Sequence, residues 1–295
     1  MRAIAPATAS FRGAAGNTLV GDVYGAAGPP VLLLHGGGQT RHAWKKTAEA
    51  ISRLGYRAYT VDQRGHGDSQ WIDNGDYDFA DFAADARALA DTLTERSGVR
   101  PVAVGASLGG MAALLAEGAR SANGRVFSAL VLVDITPRVD REGVGKILGF
   151  MRAHAKQGFG SVAEAADAVA AYLPHRPRPP SDEGLKKNLR LHADGRWRWH
   201  WDPRSIEGNR RIGPAAAEIE NALVAAAKSV SIPALLVRGA SSELVQEQHA
   251  KDFLELVPHA TYVDVSGARH MVAGDRNDQF ANAIEGFLSS IRKQR

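Results

Sequence analysis

The 295-residue sequence contains no cysteine. Disulfides, thiolate catalysis and Cys-ligated zinc or iron–sulfur sites are therefore excluded. No stretch approaches the roughly 18–20 apolar residues of a membrane-spanning helix. The segment from Met1 to Gly16 has no continuous apolar run of the kind a secretory signal needs. These absences lead to the expectation of a cytoplasmic protein with no membrane partner. A G-x-x-x-x-G-K-[ST] phosphate loop is missing too, and Gly143-Val144-Gly145-Lys146 lacks the strand and spacing of a nucleotide site. Neither a cofactor nor a metal is expected.

What is present describes a folded globular chain. Hydrophobic residues make up 44% and charged residues 23%, which is ordinary for a domain with a packed core. The length suits one large domain, or one domain with an insertion. The net charge of +4 is concentrated between His175 and Arg211, where ten Lys/Arg face five Asp/Glu. A nucleic-acid binder would cluster such charge on an arm or a recognition helix, so no nucleic-acid partner is expected. Two readings of the segment stay open, a solvated face and a surface that attracts an anionic substrate.

Short apolar runs alternate with helical patterns over the first part of the chain. Val31–Leu34, Arg57–Val61, Pro101–Gly105 and Ala129–Val133 read as strands. Ala43–Leu54, Phe79–Leu93 and a segment from Leu108 read as helices. Strand–helix alternation argues for a parallel sheet covered on both faces. From about Pro137 to Val230 the pattern is helical, with no convincing strand. Its clearest helix is Ser161–Leu173, opened by a Ser161/Glu164 capping box. Arg196-Trp197-Arg198-Trp199-His200-Trp201 in this region reads as an extended piece with its tryptophans on one side. Alternation then resumes with strand Ala234–Arg238, helix Gln246–Leu256, strand Thr261–Val265 and a last helix over Arg276–Ile291.

The motif that carries chemistry is Gly105-Ala106-Ser107-Leu108-Gly109. A G-x-S-x-G pentapeptide is common by chance, but here an apolar strand ends just before it and a helix begins just after. So tight a turn strains the serine, requires small neighbours and lifts the hydroxyl above the sheet edge. Ser107 is the candidate nucleophile. A serine needs an adjacent base, and His270, after the last strand, is the one of ten histidines placed at the same edge. The base needs a carboxylate to orient it. Glu243 and Asp134 both follow strands and both lie between serine and histidine in the chain; Glu243 is preferred. His35-Gly36-Gly37-Gly38 follows the first strand. The N–H groups of Gly37 and Leu108 are the candidate oxyanion donors, each worth about 100- to 1,000-fold in rate.

These pieces resemble the α/β-hydrolase superfamily. The matching stretches are Leu33–Gly38, Asp62-Gln63-Arg64-Gly65-His66-Gly67-Asp68-Ser69, Gly105–Gly110, Val237–Gly239 and His270–Val272. The resemblance implies an α/β fold with a mostly parallel eight-stranded sheet flanked by helices. It implies a core over residues 1–136 and 231–295 and an inserted helical cap over 137–230. A serine at the elbow resembles esterases, lactonases, carbon–carbon hydrolases and cofactor-free perhydrolases. It departs from haloalkane dehalogenases and epoxide hydrolases, which would carry Asp there. Glu243 departs from the usual Asp after strand seven, which keeps Asp134 in play. The expected activity is hydrolysis of a small to medium carboxylic ester through an acyl-enzyme, and a hydrolase-like receptor is the non-enzyme alternative. Gly38, Trp199, His200, Trp201 and Met271 are candidate contacts to a small-molecule substrate.

Overall fold

The computed structural model describes residues 6–119, 124–176, 178–207 and 214–293. Eight strands form one sheet in the order β1-β2-β4-β3-β5-β6-β9-β10. They are β1 Ala7–Arg12, β2 Thr18–Tyr24, β3 Pro30–Leu34, β4 Arg57–Val61, β5 Val102–Ala106, β6 Ala129–Val133, β9 Ala234–Gly239 and β10 Thr261–Val265. β1 pairs antiparallel with β2, and β2 antiparallel with β4; every other pairing is parallel. The first two strands extend the sheet beyond the alternating pattern legible in the sequence.

The central strands are buried along their whole length, as both faces are covered. Side-chain alternation divides them between two cores. Leu32, Leu34, Leu130 and Leu132 face a cluster completed by α2 (Phe79–Ser97), α3 (Leu108–Gly118) and α8 (Glu247–Leu256). Val31, Leu33, Val131 and Val133 face the other, with Ile51 of α1 (Lys45–Arg53) and Phe280, Ile284 and Leu288 of α10 (Asn277–Lys293). Each such side chain contributes about 1.5–3 kcal/mol on burial. α2 runs a turn past the expected Leu93. It starts at an Asp78/Asp81 capping box and stops at Gly98, whose φ of 72° closes the helix.

β6 and β9 are neighbours in the sheet, yet the segment between them spans about a hundred residues. It holds α4 (Arg141–Ala153), α5 (Val162–Tyr172), a 3-10 turn over Asp182–Asn188, β7 (Leu189–Leu191), β8 (Trp197–Trp199), α6 (Arg204–Glu207) and α7 (Pro214–Ser229). The expectation of no strand here is corrected: β7 and β8 form an antiparallel pair. Three-residue strands are too short for periodicity to reveal. Leu148, Met151, Phe159, Ala165, Trp199, Trp201 and Ile206 make a separate apolar cluster within the segment. α7 behaves differently, since Leu223, Ala226 and Ala227 join the sheet's core. A Cβ on Gly118 would lie 2.3 Å from that of Ala226, so α3 and α7 meet only because Gly118 is glycine.

Candidate active site

Ser107 sits between β5 and α3 with φ 47° and ψ −115°, a strained conformation for a residue with a side chain. Glycines make that turn possible. A Cβ on Gly105 would stand 2.4 Å from the Gly109 carbonyl oxygen, and one on Gly109 would stand 2.3 Å from that of Leu34. The Ser107 N–H donates to Val133 O at 3.3 Å, which ties the elbow to the end of β6.

The next residue along β6 is Asp134, also at positive φ (48°) and fully buried. Its N–H donates to Val237 O at 2.7 Å. Its Oδ1 accepts from Gly239 N–H at 2.9 Å, and its Oδ2 accepts from Ser242 Oγ at 2.5 Å. The same Oδ2 lies 2.8 Å from Nδ1 of His270. The preference for Glu243 as the carboxylate beside His270 is corrected here: the structure brings Asp134 into that contact and not Glu243. Asp134 follows its strand directly and is turned toward His270 by its own backbone. Glu243 lies four residues past β9, and its Oε2 is buried without a hydrogen bond. A proton on Nδ1 directed at Asp134 Oδ2 fits this contact. The Ser242 hydroxyl and the Gly239 N–H are partners that the sequence reading missed; the consecutive serines after β9 were the available signal.

The loop after β3 faces the elbow. A Cβ on Gly36 would be 3.5 Å from that of Ser107, and one on Gly37 would be 3.9 Å from Leu108 Cδ2. Neither the Gly37 N–H nor the Leu108 N–H is used in a hydrogen bond within the described chain. The Gly38 N–H, by contrast, donates to His66 Nε2 at 3.2 Å. His35 fixes the loop from beneath: its Nδ1 is 2.8 Å from Gly36 O, and its Nε2 accepts from Gln63 N–H. Complete burial lowers its pKa to about 4, so it is neutral.

The remaining candidates divide. A Cβ on Gly38 would meet Met151 Cε at 3.0 Å and Trp201 Nε1 at 3.7 Å, so Trp201 and Met151 roof the glycine loop. Trp199 packs inside the inserted segment, 5.1 Å edge-on to Phe159 and 5.9 Å from Phe150. His200 turns the other way, 3.8 Å from Asp68, into a cavity of about 200 Å³ that it shares with Thr40, Arg41 and Lys187. Burial lowers its pKa. Trp199 therefore packs on Phe159 and Phe150, and His200 lies beside Asp68. Met271 caps α9 (Val272–Asp275), the short helix after His270. Asp275 of that helix accepts from Arg269 N–H at 3.0 Å and from Arg176 Nε of the inserted segment at 3.0 Å.

The basic stretch is largely neutralised. Arg176, Arg178, Lys186, Arg198 and Arg204 each pair with a carboxylate. Arg210 and Arg211 lie outside the described residues. Among the described residues no helix is long and apolar enough to cross a membrane. No group of three or more His, Asp or Glu side chains there could hold a metal.

Comparison with known proteins agrees with the fold. Residues 29–276 match the family model described as the alpha/beta hydrolase fold. An esterase of Mycobacterium tuberculosis is 31% identical over 283 residues, covering 90% of this chain and 85% of the relative. A 2-(acetamidomethylene)succinate hydrolase of Mesorhizobium japonicum is 28% identical, covering 90% and 89%. The solved structure of an E-2-(acetamidomethylene)succinate hydrolase superposes with a TM-score of 0.81 over 96% of this chain and 99% of that one, at 24% identity.

Proposed function

Because the chain belongs to the alpha/beta hydrolase fold family, we propose that it is a serine hydrolase of small to medium carboxylic esters, with Ser107, His270 and Asp134 as its triad. The observation that carries this reading is the 2.8 Å contact between His270 Nδ1 and Asp134. It leaves Nε2 as the base at the sheet edge where Ser107 is held in its strained turn.

The reaction runs in two acyl transfers. His270 Nε2 takes the Ser107 proton as Oγ attacks the ester carbonyl. Negative charge develops on the carbonyl oxygen, and the N–H groups of Gly37 and Leu108 hold it. The imidazolium, stabilised by Asp134, then gives its proton to the leaving oxygen. Water activated by the same nitrogen releases the acid and frees Ser107. The inserted segment acts as a cap, with Trp201 and Met151 shaping the space over Gly38. The paired arginines favour a solvated surface over an anion-attracting one. The reading places the enzyme in the cytoplasm, acting on a small molecule without a cofactor, nucleic acid or membrane.

A second reading follows from the succinate-derivative hydrolase among the relatives, which covers 90% of this chain: cleavage of a small amide-bearing acid at the same serine. A fluorophosphonate probe tests the shared premise. Labelling of Ser107 is expected in the native chain and lost in Ser107→Ala. A folded protein that does not label overturns the reading in favour of a ligand receptor. Burst kinetics on a panel of esters, lactones and acylated amino acids then separates the substrate classes, with esters turned over fastest.

A further inference from the structure

The consecutive N–H groups of the loop after β3 are not used alike. The Gly36 N–H donates to Gln39 Oε1 at 3.1 Å, and the Gln39 N–H donates to Gly36 O at 3.1 Å. The Gly38 N–H donates to His66 Nε2 at 3.2 Å. Only the Gly37 N–H, between them, has no acceptor among the described residues. A peptide unit is planar, with its oxygen and its N–H on opposite sides. Gly36 O is held by the Gln39 N–H and by His35 Nδ1, at 2.8 Å. The Gly37 N–H of that peptide is therefore turned the other way. His66 holds the next peptide, Gly37–Gly38, through its N–H.

His66 is suited to that hold. It lies in the turn after β4 and is 1% exposed. Its Nδ1 is 2.9 Å from Arg64 O. A carbonyl oxygen only accepts and a backbone N–H only donates, so a neutral ring with its proton on Nδ1 fits both partners. A proton on Nε2 would instead set one N–H against another at Gly38. The ring is packed 5.1 Å from that of His35 and 6.4 Å from that of Phe82. Its backbone is paired as well. His66 bridges Trp201, the Gly67 N–H donates to His200 O at 2.7 Å, and the Asp202 N–H donates to Gly65 O at 2.7 Å. The turn that holds the glycine loop is thus itself tied to the inserted segment.

Resting on the serine-hydrolase reading above, we propose that His66 is a positioning residue, a neutral acceptor that fixes the Gly37–Gly38 peptide and so aims the Gly37 N–H at the ester oxyanion. It touches no reacting atom. Its effect falls on the transition state, where charge sits on the carbonyl oxygen, and not on ground-state binding.

The test uses the full chain, with p-nitrophenyl butyrate as substrate and a trifluoromethyl ketone as inhibitor, whose adduct with Ser107 carries an oxyanion. His66→Ala is expected to lower kcat about tenfold to a hundredfold, the size of a misplaced group and less than the loss of a whole donor. KM should stay within about twofold, and the ketone's inhibition constant should rise by the factor that kcat/KM falls. His66→Gln, whose Oε1 can accept from the Gly38 N–H, should recover most of both. A folded His66→Ala with native kcat, or one whose kcat falls while ketone affinity is unchanged, would overturn the assignment. Ring nitrogen-15 spectra of the native chain need no variant: near neutral pH they should show His66 protonated on Nδ1 and bare on Nε2. A proton on Nε2 would overturn the assignment even if His66→Ala does not fold. Absence of fluorophosphonate labelling at Ser107 in the native chain would instead overturn the hydrolase reading, and the role with it, while the ring spectrum stayed as expected.

Discussion

All five residues of β3 are buried, whereas of the three residues of β8 only Trp199 is. That contrast runs through the molecule. In the sheet, aliphatic side chains fill both faces, and glycines at 105, 109 and 118 let backbone approach backbone. The sheet therefore fixes the proposed catalytic groups through main-chain geometry, as the positive φ of Ser107 and Asp134 attests. The inserted segment depends on side chains: an aromatic cluster around Trp199 and Phe159, and arginine–carboxylate pairs. Exposed pairs of that kind contribute about 0–1 kcal/mol each. The aromatic cluster is thus expected to lose hydrogen-exchange protection before the sheet does.

The largest expected effect that separates the two regions is that of Trp199→Ala. It empties the centre of the aromatic cluster and should cost about 3–5 kcal/mol. Hydrogen exchange should show the Phe159 and Trp197 amides losing protection while those of Val104 and Leu132 keep theirs. Equal loss in both sets would mean that segment and sheet unfold as one unit.

A smaller effect tests the join between them. Asp275, whose side chain is 5% exposed, links Arg176 of the inserted segment to the backbone just before His270. Arg176 is itself 26% exposed, so screening limits the loss in Arg176→Ala to roughly 1 kcal/mol, or about fivefold in kcat/KM. The native enzyme should show the same direction of change as salt is raised. A Ser107-labelling rate unchanged in Arg176→Ala would show that the join does not reach the active site.

A pH-dependent effect lies in the sheet and the loop after β3. His35 has a pKa of about 4 in the fold against an ordinary 6.5. The unfolded chain therefore takes up this proton first as pH falls. The stability contributed by the neutral ring is present above 6.5 and is lost progressively down to about 4. Urea denaturation of His35→Gln across that window should show a flatter acid limb than the native protein. An identical limb would mean that His35 does not control it.

How far the sequence could be read follows the same division. Strand Ala129–Val133 was legible to the residue, because a buried aliphatic run bounded by turns leaves little choice. The positions of Ser107 and His270 at strand ends followed from the strand pattern. The carboxylate beside His270 was not legible, since chain order admits both Asp134 and Glu243 and only the turn after β6 brings Asp134 into that contact. β7 escaped because it is three residues long, whereas β8 lies in the extended piece read over Arg196–Trp201 and is stabilised by Trp197 pairing with Phe159, a contact distant in sequence. Asp275 gave no local signal, since its partners come from other elements.

The assignment of Asp134 as the carboxylate behind His270 is the central claim, and kcat of Asp134→Asn beside Glu243→Gln tests it most directly. Asp134→Asn should lower kcat about 10⁴-fold with the fold intact, and Glu243→Gln should lower it at least a hundredfold less. An equal or larger loss in Glu243→Gln would contradict the account.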